Sequence, residues 1–221
     1  MQAWIFDIRS RPFVLLSASF IVVAILVHFD LTQQFDQNSI LFFHDVAGNP
    51  SIDFLMQLVT EIGDVYYMVI FGIILVIIKP TRRIGVTIMI LIVMSTVLAG
   101  YIKCGMDRDR PNLKFEGVPF PIPLEQDTFS LFCEGDYKAS FPSGHVARAA
   151  VFGIVIGFSL SERFPRGCYL LLIYPLLMSI SRVYVLQHYP MDVIGGVLIG
   201  ILLAGAVSQK TKLYKILKSE A

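Results

Sequence analysis

The chain has 221 residues, of which 55% are apolar and only 16% are charged, and its mean hydropathy is +0.69. A soluble domain carries about 25% charged residues, so this composition excludes an ordinary soluble enzyme and indicates a membrane protein. The formal net charge is only +1, and we expect no nucleic-acid partner. Apolar runs take up most of the sequence, which leaves one membrane domain over residues 1–221 as the expected organisation.

Six apolar runs approach the length of about 20 residues that crosses a bilayer as a helix. The first run could be a signal peptide, but it is longer than a typical signal-peptide core and no small-residue cleavage site follows it. We therefore favour an uncleaved span. The sequence predicts an all-α membrane protein with transmembrane helices at 12–29, 64–79, 84–104, 145–161, 167–187 and 191–209.

The distribution of charge predicts the orientation of these spans. With six spans, both termini and the 79–83 and 161–166 loops share one side of the membrane. That side carries eleven of the eighteen Lys and Arg residues but three of the seventeen acids. The positive-inside rule places it in the cytoplasm. We expect an integral cell-membrane protein with both termini cytoplasmic and the other loops on the extracytoplasmic side.

Two short segments between the first two spans have helical patterns. Phe35, Phe42 and Phe43 share one face of the first, and Asn49 and Pro50 offer a cap and a first helical position for the second. The sequence predicts short interfacial helices here, packed at the membrane surface.

The segment 112–141 contains VPFPIPLEQ, whose prolines exclude a regular helix. A connection of this length is usually functional or disordered, and it is either a flap beside a site or merely a variable loop. Cys104 and Cys133 both fall on the outer side, where a disulfide between them is possible. Cys168 is placed at the cytoplasmic end of the fifth span, without a partner.

The third span ends in KCGMDRDRP. If the helix continues, Lys103 and Arg110 are nearly two turns apart on one face, about 10 Å along the axis. Two such cations repel each other unless an anion lies between them. Asp107, on nearly the same face, would temper this repulsion. The pattern indicates an anion site.

A second motif, SFPSGH, precedes the fourth span. Pro142 suits the first turn of a helix. Ser143 and Gly144 would then present a hydroxyl and open backbone N–H groups at the positive end of that helix, where anions bind. His145 is able to exchange a proton near neutral pH.

The third motif, SRVYVLQHYPMD, joins the fifth and sixth spans, with Pro190 opening the last helix. Arg182 offers a planar cation for phosphate oxygens. Asp192 follows His188 by four residues, and a carboxylate that fixes one imidazole nitrogen makes the other a better nucleophile or base.

Each motif alone has an ordinary explanation. Cations at a helix end snorkel to headgroups, PSGH can be only a helix start, and His and Asp four residues apart are often a local pair. All three motifs nevertheless fall on the same outer face, and charged groups at membrane depth usually have a function. Together they predict one site that binds an anion.

The three motifs together resemble those of the type 2 phosphatidic acid phosphatase superfamily, which are K-x6-RP, PSGH and SR-x5-H-x3-D. The resemblance covers the third to sixth spans and implies a metal-independent lipid phosphatase without a cofactor. It implies His188 as the nucleophile, Asp192 as the residue that orients it, and His145 as the general acid and base. The phosphate-binding residues that it implies are Lys103, Arg110, Ser143, Gly144 and Arg182.

Two other functions remain open from sequence: phosphoryl transfer to an acceptor other than water, and non-enzymatic lipid binding. A site at the outer membrane surface favours a lipid phosphate in the bilayer as substrate. Candidates are polyprenyl diphosphate, phosphatidylglycerol phosphate, phosphatidate and diacylglycerol diphosphate, and the motifs do not rank them because they recognise only the phosphate.

Overall fold

The computed structural model of the chain describes residues 7–117, 139–161 and 163–210. In these ranges the regular structure is entirely helical, with 3₁₀ turns at Lys79–Thr81 and Gly167–Leu172. The α-helices are α1 (Arg11–His28), α2 (Gln33–Val46), α3 (Pro50–Ile62), α4 (Val65–Ile77), α5 (Arg82–Met106), α6 (Gly144–Leu160), α7 (Ile173–Tyr184) and α8 (Pro190–Lys210).

The six predicted spans coincide, within a few residues, with α1, α4, α5, α6, α7 with its 3₁₀ turn, and α8. Length and hydropathy qualify four helical stretches as membrane spans: Arg11–His28, Lys79–Met106, Gly167–Tyr184 and Pro190–Ser208. The pair α3 and α4, bent by 56°, makes a fifth if it counts as one broken span. With 17 residues, α6 is a shorter apolar helix. The all-α membrane fold is confirmed, with four or five spans by these criteria.

Local sequence signals fix several helix starts. The Asn49 side chain accepts hydrogen bonds from the N–H groups of Ser51 and Ile52, and Pro50 is the first residue of α3, as predicted. Asp64 caps α4 by accepting from the N–H of Tyr66 at 2.8 Å. Such caps satisfy N–H groups that have no partner within the helix.

The centre of the fold is α6, whose residues 144–155 are all buried. It packs against α5, α7 and α8. The contact with α8 is close because glycines face it: a Cβ at Gly200 would lie 2.5 Å from the Ala147 carbonyl oxygen, and one at Gly196 would lie 2.6 Å from that of Ser143. Close packing of this kind needs residues without side chains at the contact. It holds the start of α6 against the start of α8.

The helices α2 and α3 pack against α7, and α2 also contacts α8. In the contact between α3 and α7, the Thr60 hydroxyl donates to that of Ser181 at 3.1 Å and the Tyr184 hydroxyl donates to Asp53 at 2.6 Å. The first helix packs on α8. These contacts bring α2 and α3 to the end of α7, beside the segment that carries the third motif.

The glycine contact between α6 and α8 predicts a large loss of stability for Gly200→Ala. The added methyl group meets a backbone oxygen and the Ala150 Cβ, at 2.6 Å, and overpacking of this kind costs about 1–3 kcal/mol. We expect a lower thermal unfolding midpoint in detergent. Gly105→Ala is the matched control, because nothing lies within 4 Å of its Cβ position. Equal midpoints for the two variants would contradict the proposed packing role.

Candidate active site

The third motif forms a tight turn between α7 and α8. Arg182 lies in the last turn of α7, and its carbonyl oxygen accepts hydrogen bonds from the N–H groups of Gln187 and His188, at 3.1 and 3.2 Å. This fold-back brings His188 next to the arginine that precedes it by six residues. Both side chains are buried, with exposed fractions of 1% for Arg182 and 0% for His188.

Asp192 lies in the first turn of α8 and is fully buried. Its Oδ2 is 3.7 Å from His188 Nδ1, and the same oxygen accepts a hydrogen bond from the Tyr189 N–H at 2.8 Å. Because Nδ1 faces the carboxylate, Nε2 points to the opposite side of the ring. The structure thus brings together His188 and Asp192, as the motif predicts.

Ser140 lies between these two residues, and no sequence pattern indicated its role. Its hydroxyl donates to Asp192 Oδ2 at 2.5 Å and lies 3.4 Å from His188 Nδ1. Its backbone N–H donates to the Arg108 carbonyl at 2.7 Å. Ser140 therefore connects the segment before α6 to both members of the His–Asp pair.

The second motif begins α6 two residues later than its proline suggests. Pro142 precedes the helix, Ser143 is the N-cap and Gly144 is the first helical residue. The Ser143 N–H donates to the Asp192 carbonyl at 3.0 Å. Its buried hydroxyl makes no capping bond and has no hydrogen-bond partner among the described residues. A hydroxyl and helix N–H groups therefore lie beside the start of α8, as an anion site requires.

The structure corrects one prediction about the first motif: Lys103 and Arg110 do not share a helix face. The helix α5 ends at Met106, because Asp107 takes a left-handed conformation (φ 47°) that terminates it. Lys103 is buried in the last turn, with 7% exposure. Arg110 lies beyond the helix, where its Nη1 donates to the Gln187 side-chain oxygen at 2.9 Å. Arg110 thus contacts the third motif from beyond the helix, whereas Lys103 lies in the last turn of α5.

Arg108, in the spacer of the same motif, bridges two buried carboxylates. Its Nη1 is 2.6 Å from Asp192 Oδ1 and its Nη2 is 2.5 Å from Asp36 Oδ2. Its guanidinium also stacks over the Tyr189 ring, 4.4 Å from the centroid. Burial disfavours the charge of Arg108, but the carboxylates of Asp192 and Asp36 outweigh it and raise the pKa of Arg108 above its ordinary value. Arg108 is therefore a permanent cation.

His145, the second residue of α6, is buried and faces a carboxylate from another element. Its Nε2 lies 3.8 Å from Oδ2 of Asp64, the residue whose Oδ1 caps α4. One carboxylate thus caps the start of α4 and also faces the imidazole of the second motif.

The three motifs converge at one end of α5, α6, α7 and α8, as the sequence predicts. Their direct links run from Arg110 to Gln187, from Ser140 to His188, and from Ser143 to Asp192. The described residues contain no group of three or more His, Cys, Asp or Glu placed to hold a metal ion. The cations, the hydroxyls and the start of α6 can instead surround a tetrahedral anion.

Four residues at this end were not identified from sequence. Arg108 and Ser140 lie within or next to the motifs, so their spacing could have identified them. Asp64 had the signature of a helix cap only. Asp36 had no signal, because it lies in a segment read as a surface helix.

The proposed disulfide and flap involve residues that the structure describes only in part. Cys104 is disulfide-bonded and Cys168 is free and buried. Cys133 and most of the predicted flap at 112–141 lie outside the described residues, so the pairing of Cys104 with Cys133 stays a prediction.

Sequence comparison finds relatives for the part of the chain that carries the motifs. The sequence model of the PAP2 superfamily matches residues 83–214. A protein of Sulfolobus acidocaldarius named undecaprenyl-diphosphatase is 33% identical over 147 residues, which cover 66% of this chain. The aligned segment spans 64% of the length of that curated relative.

Structure comparison finds the same fold in two crystal structures. A PAP2-type phosphatidylglycerolphosphate phosphatase from Bacillus subtilis superposes with a TM-score of 0.70 at 23% identity, over 90% of this chain and 96% of the other. LpxE of Aquifex aeolicus superposes with a TM-score of 0.58 at 25% identity, over 80% of this chain and 95% of the other. The first similarity concerns the fold alone.

Proposed function

We propose that this chain, which belongs to the PAP2 superfamily, hydrolyses a lipid phosphate or diphosphate through a phosphohistidine intermediate. The observation that carries the proposal is the buried His188–Asp192 pair, with Nδ1 3.7 Å from the carboxylate, next to the start of α6 and the arginines of the first and third motifs. A nucleophile, an orienting carboxylate and an anion site are the parts that phosphoryl transfer needs.

In the first step His188 Nε2 attacks phosphorus, the N–P bond forms and the bond to the leaving oxygen breaks. The ring then carries a positive charge, which Asp192 stabilises through Nδ1–H. Lys103, Arg110 and Arg182, with the Ser143 hydroxyl and the Gly144 N–H, surround the equatorial oxygens, where charge develops. These cations supply the charge stabilisation that a metal provides in other phosphatases.

His145 acts on the other side of phosphorus. As an imidazolium it gives its proton to the leaving oxygen, and as a neutral base it then takes a proton from the water that breaks the N–P bond. The Asp64 carboxylate, 3.8 Å from His145 Nε2, faces this imidazole.

For the substrate we propose a lipid phosphate, most simply a polyprenyl diphosphate. The Sulfolobus relative carries the name undecaprenyl-diphosphatase, and that name is the specific support for this choice. Phosphatidylglycerol phosphate and phosphatidate are the next candidates, on the chemistry of the phosphate alone.

We further propose that six helices cross the membrane and that α2 and α3 lie at its outer surface. Large apolar side chains of α2 and α3, such as Phe35, Phe42 and Leu55, are more than 45% exposed, which suits contact with lipid. With both termini in the cytoplasm, the converging ends of α5 to α8 face outside. The active site would then take its substrate from the outer leaflet.

An assay of phosphate release tests the proposed function directly. We expect the purified protein in detergent to release phosphate from polyprenyl diphosphate, with phosphatidylglycerol phosphate and phosphatidate as comparison substrates. EDTA should leave the rate unchanged, and millimolar vanadate should inhibit because it mimics five-coordinate phosphorus. Loss of activity on chelation, restored by one divalent ion, would contradict the mechanism. A phosphorylated acceptor in place of free phosphate would indicate a transferase.

An aryl phosphate substrate distinguishes the roles of the two histidines, because its acidic leaving group needs little protonation. His188→Ala should lose turnover by about 10⁴-fold or more and should form no phosphoenzyme. His145→Ala should still form phosphohistidine but hydrolyse it slowly, so the intermediate should accumulate on rapid acid quench. Phosphorylation of the His188 variant and not of the His145 variant would mean that the two roles are reversed.

The orientation is tested by cysteine labelling in intact cells. A cysteine at the exposed Lys114, after α5, should react with an impermeant maleimide from outside. One at the exposed Arg163, after α6, should react only after the cells are opened. The wild-type chain is the control for labelling of native cysteines, and the opposite pattern would place the site in the cytoplasmic leaflet.

A further inference from the structure

The Asp192 carboxylate is not held by the motif residues alone. Its Oδ1 is taken by Arg108 at 2.6 Å, and Arg108 is in turn held by Asp36 of α2 at 2.5 Å. Asp36 is fully buried and lies outside the residues 83–214 that match the family. A carboxylate buried at this depth needs a specific reason, because an unpaired one would be strongly disfavoured.

We propose that Asp36 and Arg108 are positioning residues, which hold Asp192 and through it His188 in the orientation needed for attack on phosphorus. The proposal rests on the proposed phosphatase function and deepens it. In the proposed mechanism neither side chain contacts the phosphate. Their effect on the reaction passes through Asp192.

The first reason is geometric, because Asp36 uses both of its oxygens. Its Oδ1 accepts from the N–H of Met191 at 3.1 Å, and its Oδ2 accepts from the hydroxyl of Thr32 at 3.0 Å as well as from Arg108. Met191 is the neighbour of Asp192 in the first turn of α8. Asp36 therefore fixes the backbone of that turn while Arg108 fixes the side chain.

The second reason is electrostatic. Arg108 alone would neutralise Asp192 and draw its negative charge away from His188. With Asp36 included, one cation is shared by two carboxylates, and the group of three keeps one net negative charge. That charge stabilises the positive imidazole that forms when His188 bonds to phosphorus. The pairing thus fixes Asp192 without cancelling its charge.

The ion pair of Asp36 and Arg108 can be probed chemically. A cleft of about 350 Å³ lies beside it and is lined in part by these two residues and Tyr189. A small cation can enter this cleft from solvent. Removal of the Arg108 side chain would leave a site for a free guanidinium between two carboxylates.

The test compares Asp36→Asn, Arg108→Ala and the double variant in the purified full-length protein. We expect each single variant to lower kcat by about 10–100-fold, as loss of an outer-shell partner typically does, with KM nearly unchanged. The double variant should lose little more than the Arg108 variant, because both substitutions interrupt one path. Methylguanidinium should restore activity to Arg108→Ala in a saturable way, and much less to the double variant, which lacks Asp36.

Asp53→Asn is the matched control. Asp53 is also a buried carboxylate on an outer helix, but its hydrogen bonds come from the Tyr184 hydroxyl and the Gly48 N–H. It should show a comparable fall in thermal midpoint while its kcat stays near that of the wild-type chain. This separates positioning from a general loss of stability.

Two results would overturn the proposal while the wild-type protein is active. One is a normal kcat in Asp36→Asn. The other is loss of activity that follows the thermal midpoint equally in the Asp36 and Asp53 variants, without rescue of Arg108→Ala by methylguanidinium. Absence of phosphate release in the wild-type protein itself would refute the proposed function instead.

Discussion

Burial of the Asp192 carboxylate is the constraint on which the end of the protein that carries the three motifs depends. Removing an ion from water costs several kcal/mol unless charged and polar partners replace the solvent. The partners of Asp192 come from three separate segments: Arg108 after α5, Ser140 before α6, and the Tyr189 N–H before α8. The charge is stable only when these segments meet. Folding of the helix ends and assembly of the site are therefore the same event.

The rigidity of the site comes from the close contact of α6 and α8. The Ser143 N–H donates to the Asp192 carbonyl, so the start of α6, the proposed anion site, is fixed to the first turn of α8, which carries Asp192. Gly196 makes this possible, since a side chain there would meet the Ser143 carbonyl oxygen. A slight separation of the two helices would move the phosphate oxygens relative to His188. Phosphoryl transfer depends on in-line geometry, so under the proposed mechanism this packing would serve the reaction as well as stability.

The sequence predicted those features that local rules determine. Apolar runs located the six helices within a few residues, the Asn49 cap was correct, and the motif spacing brought His188 to Asp192. The errors have one cause, which is that local patterns do not show long-range contacts. Helical periodicity predicted that α5 continues past Met106, because the pattern does not show that Asp107 takes a left-handed conformation. Asp36 had no signal in the sequence, since its partners Arg108 and Met191 lie far along the chain.

The part of the chain before residue 83 contributes two carboxylates, Asp64 and Asp36, to the region where the three motifs meet. Each proposed catalytic histidine is backed by a carboxylate from that part: Asp64 faces His145 directly, and Asp36 reaches His188 through Arg108 and Asp192. Both carboxylates also hold the fold together. Asp64 caps α4, and Asp36 accepts a hydrogen bond from the Met191 N–H in the first turn of α8. The cations of the motifs create the positive potential that binds a phosphate, whereas the two histidines need negative charge close by. Asp64 lies beside His145, and Asp36 lies beside the turn that carries His188 and Asp192, so this negative charge is placed next to the two proposed catalytic histidines.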